Sequence, residues 1–420
     1  MTNLLVFEDS DNHPCNPITA CRPIFDVLVG VSTPLEKIRR YFGHLNLSVA
    51  CRPALKPLLR LKHPTLPINQ INVGAPLLLI SGRALMTKAL VSQIRDFPVD
   101  QDVMMVYDDT FVVAQICSLD LLHVLKAQFE EDVPSQAWLV STLRQRCVCQ
   151  KVQQMHMLRT PWDLFAHLAD NITDDFDHLH QFGVIKGDIL PFAALYEENR
   201  IYVGKYARIE DFVVLDARKG PIYIDEHAVV ESGSRLEGPL YIGKHSHIAG
   251  ARIKTSAIGD WCKIGGEVSM SIFQGYANKA HDGFFGHSYV GEWVNVGANS
   301  VTSNLKNNYS PVSLRFGEET LQTPEIFLGS IVGDHVKLGI GTHLTTGSTV
   351  GVGTTVFGTT VHPAWLAPFT WGGAGAYDVH VFEKFIETAE RMMARRHQPW
   401  TPFHEDYFRL LFSQRERALA

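Results

Sequence analysis

The chain has 420 residues, 45% hydrophobic and 20% charged, so it exceeds one ordinary core and sets an expectation of two or three domains in a soluble protein. A net charge of −6 without a basic stripe argues against nucleic acid as the main partner, and no apolar run reaches the roughly 18 to 20 residues of a membrane span. Seven scattered cysteines, with no C-x-x-C pair, point to free thiols in a reducing cytoplasm.

The N-terminal run MTNLLVFEDSDNHP has no basic stretch ahead of its apolar residues, so it reads as a first strand and not as a secretory signal. Further strands are expected at 47–50, 77–80, 103–107 and 111–116. They alternate with amphipathic helices, the pattern of an open α/β sheet. Thr33, Pro34 and Glu36 announce a helix by N-cap, first-turn proline and capping-box acid. Other helices are expected after Ser81 and from Ser118.

A bridging helix follows Thr160 and Pro161, with Trp162, Phe165, Leu168, Ile172, Phe176 and Leu179 as its apolar stripe. The Gly- and Pro-containing stretch 183–200 reads as a linker. The expected organisation is an α/β domain over 1–182, that linker, a β-helix over 201–372 and a helical tail over 373–420.

The β-helix rests on a period of six. Val332, Leu338, Leu344, Val350 and Val356 recur every sixth position, which fits neither a 3.6-residue helix nor strand alternation but does fit a three-sided parallel β-helix. The same step runs from Val203 through Ile264. GPIYI at 220–224 returns as GPLYI at 238–242, and with three six-residue faces per turn the two should stack directly. Breaks are expected between about Val268 and Ser288 and at 302–330, where loops would project. After Val361 the aromatic stretch HPAWLAPFTWGG reads as a cap, and 379–396 as a final helix.

The stretch from the first break into the second concentrates Lys279, His281, Asp282, His287, Asn295, Asn304, Lys306, Asn307 and Asn308. Two uses are open. His281 could be a general base, since imidazole titrates near neutrality. Alternatively, His281, His287, His245 or His247 of neighbouring subunits could converge on a metal.

From Arg252 to Asn304 the chain resembles the acetyltransferase domain of the bacterial bifunctional UDP-N-acetylglucosamine pyrophosphorylase/glucosamine-1-phosphate acetyltransferase, through KAHDGFFGHSYVGEWVNVGANSVTSN. The whole chain is similar to a variant branch, the GlmU-like sugar nucleotidyltransferases. The resemblance rests on PITACRPIFDVLVG, TPWDLF, LDARKGPIYI, CKIGGEV, NLKNNY and GDHVKLGIGTHLTTG. It implies an α/β nucleotidyltransferase-like domain followed by a left-handed parallel β-helix, assembled as a homotrimer. It further implies acyl transfer from acetyl-CoA to an amino sugar phosphate or sugar nucleotide. His281 would be catalytic, Arg252, Lys279 and Asn295 substrate-binding, and Asn304 near the CoA thioester. Phe284 replaces a substrate-binding Tyr of the family.

The N-terminal domain departs further. Where the family has a Gly-rich phosphate loop, this chain has EDSDNHPCNPITACRPIFD, with acids where a triphosphate would sit. Gly82 and Arg83 stand near the family's metal-binding Asp. Either Arg22 and Arg83 contact phosphate in a different way, with Mg²⁺ required if the domain is active, or the domain is a scaffold. The alternatives to acyl transfer are nucleotidyl transfer as the main reaction and a non-catalytic sugar-nucleotide-binding subunit.

Overall fold

The computed structural model describes residues 2–11, 15–317 and 319–419, with side chains as far as Arg415, so that Asn12, His13 and Pro14 of the acid-rich stretch lie outside the described residues. It divides into two compact units, Met1–Val27 with Ser32–Asp163, and Leu28–Val31 with Leu164–Ala420.

The first unit is a six-stranded sheet of β1 (Asn3–Phe7), β2 (Asn46–Ala50), β3 (Leu77–Ser81), β4 (Val103–Tyr107), β5 (Thr110–Ile116) and β6 (Val148–Lys151). The order is β2-β1-β3-β5-β4-β6, with β5 antiparallel to both its neighbours. The five strands expected from apolar runs are present, and β6, exposed along its length, was not legible that way. Helix α1 (Pro34–Phe42) opens with the capping box: the Glu36 amide donates to the Thr33 hydroxyl and the Thr33 amide to the Glu36 carboxylate. Helices α2 (Lys56–Lys62), α3 (Lys88–Arg95), α4 (Leu119–Glu131) and α5 (Gln136–Arg144) complete the unit.

The second unit is a parallel β-helix. GPIYI and GPLYI stack as expected, with Ile222 opposite Leu240, Tyr223 opposite Tyr241 and Ile224 opposite Ile242. Its core is a continuous, mostly aliphatic column of side chains from Ile201 to Leu366. The coils begin earlier than Val203. Asp188–Ile189 and Ala194–Tyr196, inside the stretch expected as a linker, already pair with Arg208–Ile209 and Val214–Asp216. The helix Leu168–Leu179 belongs to this unit, packed on strands Arg235–Ile242 and His247–Ile258. The peptide Leu28–Val31 joins it there, since the Leu28 amide donates to Gln274 Oε1 at 2.9 Å and the Val31 amide to Asp175 Oδ2 at 3.0 Å.

The expected break at 268–288 is not one. Ile272–Phe273, Asn278–Lys279 and Phe284–Gly286 continue the three faces in register, and Phe273, Lys279 and Phe285 fill inward positions where a small aliphatic was looked for. The second break is real, and 303–330 leaves the coil to form the hairpin Ser313–Phe316/Glu319–Gln322. The coils also run past Val361, through Trp365–Leu366 and Thr370–Gly373. Helices Phe382–Ala394 and Pro402–Leu419 follow, with Phe385 and Phe412 packed on Phe369 and Phe408 on Phe385.

One corner carries a stack of rings. Tyr206, His227, His245, Trp261, Tyr276, Trp293 and His335 all have φ between 52° and 62°. Neighbouring rings lie face to face, 4.7 Å apart for His227 and His245 and 4.3 Å for His245 and Trp261. Left-handed backbone is unfavourable for residues with a Cβ, and ring stacking offsets part of that cost.

Stacked coils leave no room at Gly238, where a Cβ would run into the carbonyl oxygen of Gly220 on the coil below. Gly238→Ala should therefore cost roughly 2 to 3 kcal/mol through backbone displacement, read as a lowered thermal midpoint. Gly233→Ala, which meets no atom within 4 Å, should cost less despite its φ of +81°.

Candidate functional site

Counting the face of Asn278–Lys279 and Asn295–Val296 as the first and that of 252–254 and Phe284–Gly286 as the second, parallel register sorts the outward side chains of the second face into columns. Arg235, Arg252, Glu267 and Phe284 form one, and Glu237, Lys254, Ser269 and Gly286 form its neighbour. Successive rungs are about 4.8 Å apart, so Phe284 lies about 10 Å along the axis from Arg252. Arg252 and Lys254 are exposed and form no ion pair among the described residues. Beyond Phe284, Val301 pairs with His343, and His343 with Val361. A groove of about 790 Å³ opens there, bordered by Phe284, Val301, Leu305, Asn308, His343 and Thr346.

His281 is exposed on the corner between strands Asn278–Lys279 and Phe284–Gly286. The next coil holds that corner, because the Asn299 amide donates to the Asp282 carbonyl at 2.9 Å. His281 therefore stands three residues before the groove-lining Phe284. Asn295 is half-buried on the first face, where its Oδ1 accepts from Asn278 Nδ2 at 2.8 Å.

Lys279 does not face a substrate. It stacks on Ile264 in the inward column and is 1% exposed. Its ammonium donates to the carbonyl oxygens of Gly265 at 2.7 Å and His281 at 2.8 Å. Burial pushes its pKa down to about 8 against the opposing pull of Asp282. An inward position on a coil is closed to solvent, so the expectation of a substrate-binding lysine is corrected to an interior one.

Asn304 Nδ2 lies 2.9 Å from His287 Nδ1, and the His287 ring stacks on Phe327 with centroids 5.4 Å apart. Burial pushes the His287 pKa down to about 4, so the ring is neutral and one nitrogen can accept from the amide. The four histidines considered as metal ligands are not gathered within one chain. His245 lies in the ring stack, and His247 Nε2 meets Glu231 Oε1 at 2.7 Å. Among the described residues no group of three or more His, Cys, Asp or Glu side chains is placed to hold a metal ion.

In the first unit, acids at the carboxyl end of β1 are spent on internal partners. Asp9 takes Arg83 bidentately, Nε to Oδ2 at 2.6 Å and Nη2 to Oδ1 at 2.7 Å, with Gln136 Nε2 at 2.7 Å as well. Asp11 Oδ2 accepts from the Gln136 amide at 2.8 Å, at the start of α5. Glu8, fully buried, accepts from the amide and Nη1 of Arg52 at 2.7 and 2.9 Å. Arg83 is 4% exposed and also donates to the carbonyls of Leu158 and Asp11, which corrects its expected role as a phosphate contact. Arg22, 5% exposed, donates to the Ile18 carbonyl at 3.2 Å.

Residues 4–182 match the family described as sugar nucleotidyl transferase. A bifunctional protein GlmU of Methanocaldococcus jannaschii is 30% identical over 206 residues, covering 43% of this chain and 47% of that one. A bifunctional sugar-1-phosphate nucleotidylyltransferase/acetyltransferase of Sulfurisphaera tokodaii is 29% identical over 162 residues, covering 37% and 39%. Over part of its length the chain is similar to these bifunctional proteins. It spans less than half the length of either of these curated relatives. Among solved structures, UDP-N-acetylglucosamine acyltransferase from Campylobacter jejuni aligns over 53% of this chain and 81% of its own at 14% identity. Its TM-score of 0.25 is too low to argue from.

Lys254 in the column beside Arg252, His287 as the partner of Asn304, and Phe327 as the ring on His287 were not singled out from the sequence. Lys254 was legible as the residue two beyond Arg252, on the same face of a strand. His287 and Asn304 are 17 residues apart, close to one turn of the coil, and that spacing was available too.

Arg83→Met leaves Asp9 buried without its cation and should destabilise the first unit by roughly 3 to 5 kcal/mol. Adding Asp9→Asn should restore part of the loss, as read by urea denaturation. His287 contributes a pH dependence of its own. Its folded pKa of about 4 lies below the ordinary 6.5, so between those values the unfolded chain binds more protons than the folded one. Stability should fall as pH drops from 6.5 towards 4, and less steeply in His287→Asn, as measured by thermal melts across that range.

Proposed function

We propose that this GlmU-like chain transfers an acyl group, acetyl by its resemblance, from a CoA thioester to the amine of an amino sugar phosphate or sugar nucleotide. The observation that carries the reading is that exposed His281 stands on the corner leading into Phe284, which lines the groove and shares a column with exposed Arg252. His281 would take a proton from the amine as its nitrogen attacks the thioester carbonyl. The N–C bond forms, the C–S bond breaks and the thiolate leaves with the CoA. Arg252 and Lys254, cationic and free of ion pairs, suit the phosphate of the acceptor. Asn295 would orient the sugar.

A groove of about 790 Å³ lies within the usual range for small-ligand sites, and its Val, Leu and Phe walls with Thr, Asn and His at intervals fit a thioester arm of mixed polarity. Asn304, between the groove-lining Ser303 and Leu305, would stand on the donor side.

The first unit would serve as a scaffold without nucleotidyl transfer. Glu8, Asp9 and Asp11 are committed to Arg52, Arg83 and Gln136, so the residues there do not fit a Mg²⁺-bound triphosphate. Assembly would be a homotrimer through the β-helix. The apolar side chains of Ile340, 71% exposed, and Val361, 66% exposed, favour a covering copy. No helix among the described residues is long and apolar enough to cross a membrane, and a cytoplasmic site of action is part of this reading.

The test is thiol release from acetyl-CoA over a panel of amino sugar phosphates, with pyrophosphate release followed in parallel. Wild-type protein should release thiol with at least one acceptor, and His281→Ala should lower that rate by roughly a hundredfold. Pyrophosphate release without thiol release would overturn the reading in favour of an active first unit. Silence in both would favour a binding subunit.

A further inference from the structure

The insertion 303–330 is anchored at both ends by one residue outside it. At its start, Asn304 Nδ2 lies 2.9 Å from His287 Nδ1. At its end, Phe327 stacks on the His287 ring at an interplanar angle of 20°, and the Gly329 amide donates to the His287 carbonyl at 2.9 Å. The two ends also meet directly, through an antiparallel bridge of Leu305 with Phe327 and a bond from the Leu328 amide to the Asn304 carbonyl. His287 thus meets both ends of the base, beside the further ties of Ser303 to Leu344 and Thr346 and of the Gly347 amide to the carbonyls of Leu328 and Gly329.

What the base holds is one wall of the groove. Leu305, Lys306, Asn307 and Asn308 border it, yet the hydrogen bonds of that stretch run within it: Lys306 Nζ to the Pro311 carbonyl at 2.7 Å, the Tyr309 amide to the Lys306 carbonyl at 2.9 Å, and the Ser310 amide to Asn308 Oδ1 at 3.1 Å. Local bonds of this kind shape the stretch but do not place it against the coil. Its placement comes from the base on one side and from the hairpin on the other, where Val312 and Leu314 are fully buried.

We propose that His287 is a positioning residue that closes the base of the insertion and so sets the groove wall on which acyl-donor binding depends. The binding part rests on the acyl-donor reading of the groove, and the closure part does not. The choice of histidine follows from the double duty. A neutral imidazole offers a flat ring to Phe327 and an acceptor to Asn304 at once, and its burial keeps it neutral over the working pH range. Phenylalanine supplies only the ring, and asparagine only the acceptor, with its Oδ1 close to where Nδ1 stands.

The experiment compares full-length wild type, His287→Phe and His287→Asn by hydrogen-exchange mass spectrometry over 303–330, and by kcat and KM for acetyl-CoA. In His287→Phe, exchange at the base of the insertion should rise by roughly tenfold, the loss of about one hydrogen bond. KM for acetyl-CoA should rise by a similar factor while kcat stays within about threefold. His287→Asn should lie closer to wild type in both. Exchange elsewhere in the β-helix should be unchanged, and if the Phe variant does not fold, Asn304→Leu removes the same bond from the other side and is read by exchange alone, since Asn304 itself stands on the proposed donor side.

Wild-type exchange in His287→Phe, or an Asn variant looser than the Phe variant, would overturn the closure. Raised exchange with unchanged KM would overturn the dependence of binding on it. If wild type releases no thiol with any acceptor, the acyltransferase reading falls, while the exchange data still decide whether His287 closes the insertion.

Discussion

In-register stacking of one coil on the next is the constraint on which the second unit depends. Each coil supplies hydrogen bonds to its neighbours and each inward side chain must fill its layer, so a residue is placed by which rung and which face it occupies. That is how Arg252, separated by 32 positions from Phe284, comes to share a column with it. The same rule turns 303–330 outward. A stretch that cannot keep the six-residue step leaves the coil at a corner and must be fastened there. His287 takes part in that fastening from a corner of its own, at a φ of 48°, together with Leu344, Thr346 and Gly347.

Stacking also explains what could be read from the residues and what could not. Aliphatic side chains every sixth position are legible because the interior column admits little else, and GPIYI over GPLYI fell where the period placed it. The period vanished at Lys279 although the coil did not. An ammonium in the column is tolerated because two main-chain carbonyls at the corner, those of Gly265 and His281, accept from it. A buried amine needs such partners, and nothing in a string of residues says they are present. The lysine in K-x-H therefore looked like a surface group. The ring stack, by contrast, was legible and went unread. Gly204-Lys205-Tyr206, Gly243-Lys244-His245, Gly259-Asp260-Trp261, Gly291-Glu292-Trp293 and Gly333-Asp334-His335 repeat one corner, a glycine and a charged residue followed by a ring.

In the first unit the strands and the capping box of α1 were legible from apolar runs and cap chemistry. The fate of the acids was not. Glu8, Asp9 and Asp11 crowd a place where a phosphate-binding loop needs glycines and free amides. Like charges alone left open whether Arg22 or Arg83 compensates by reaching a ligand. Arg83 compensates by reaching Asp9, 74 positions away, in a buried bidentate pair. Such a pair is costly to break and gains little over apolar packing, so its presence speaks for a fixed local structure more than for extra stability.

The two units therefore spend their charges in opposite ways. At the carboxyl ends of β1 and β3, cation and anion satisfy each other inside the protein, and a phosphate entering there would have to displace a carboxylate already held at 2.6 to 2.7 Å. On the second face of the β-helix, Arg252 and Lys254 stand exposed on neighbouring columns, and no carboxylate among the described residues is bound to either. A surface cation in water carries little cost and little benefit. Two of them aligned on a rigid strand, with a histidine and a groove two rungs further on, are held in place before any ligand arrives. Holding them there is expensive in chain entropy but has already been met by the coil, so an anionic acceptor would lose less freedom on binding than it would to the same side chains on a loop.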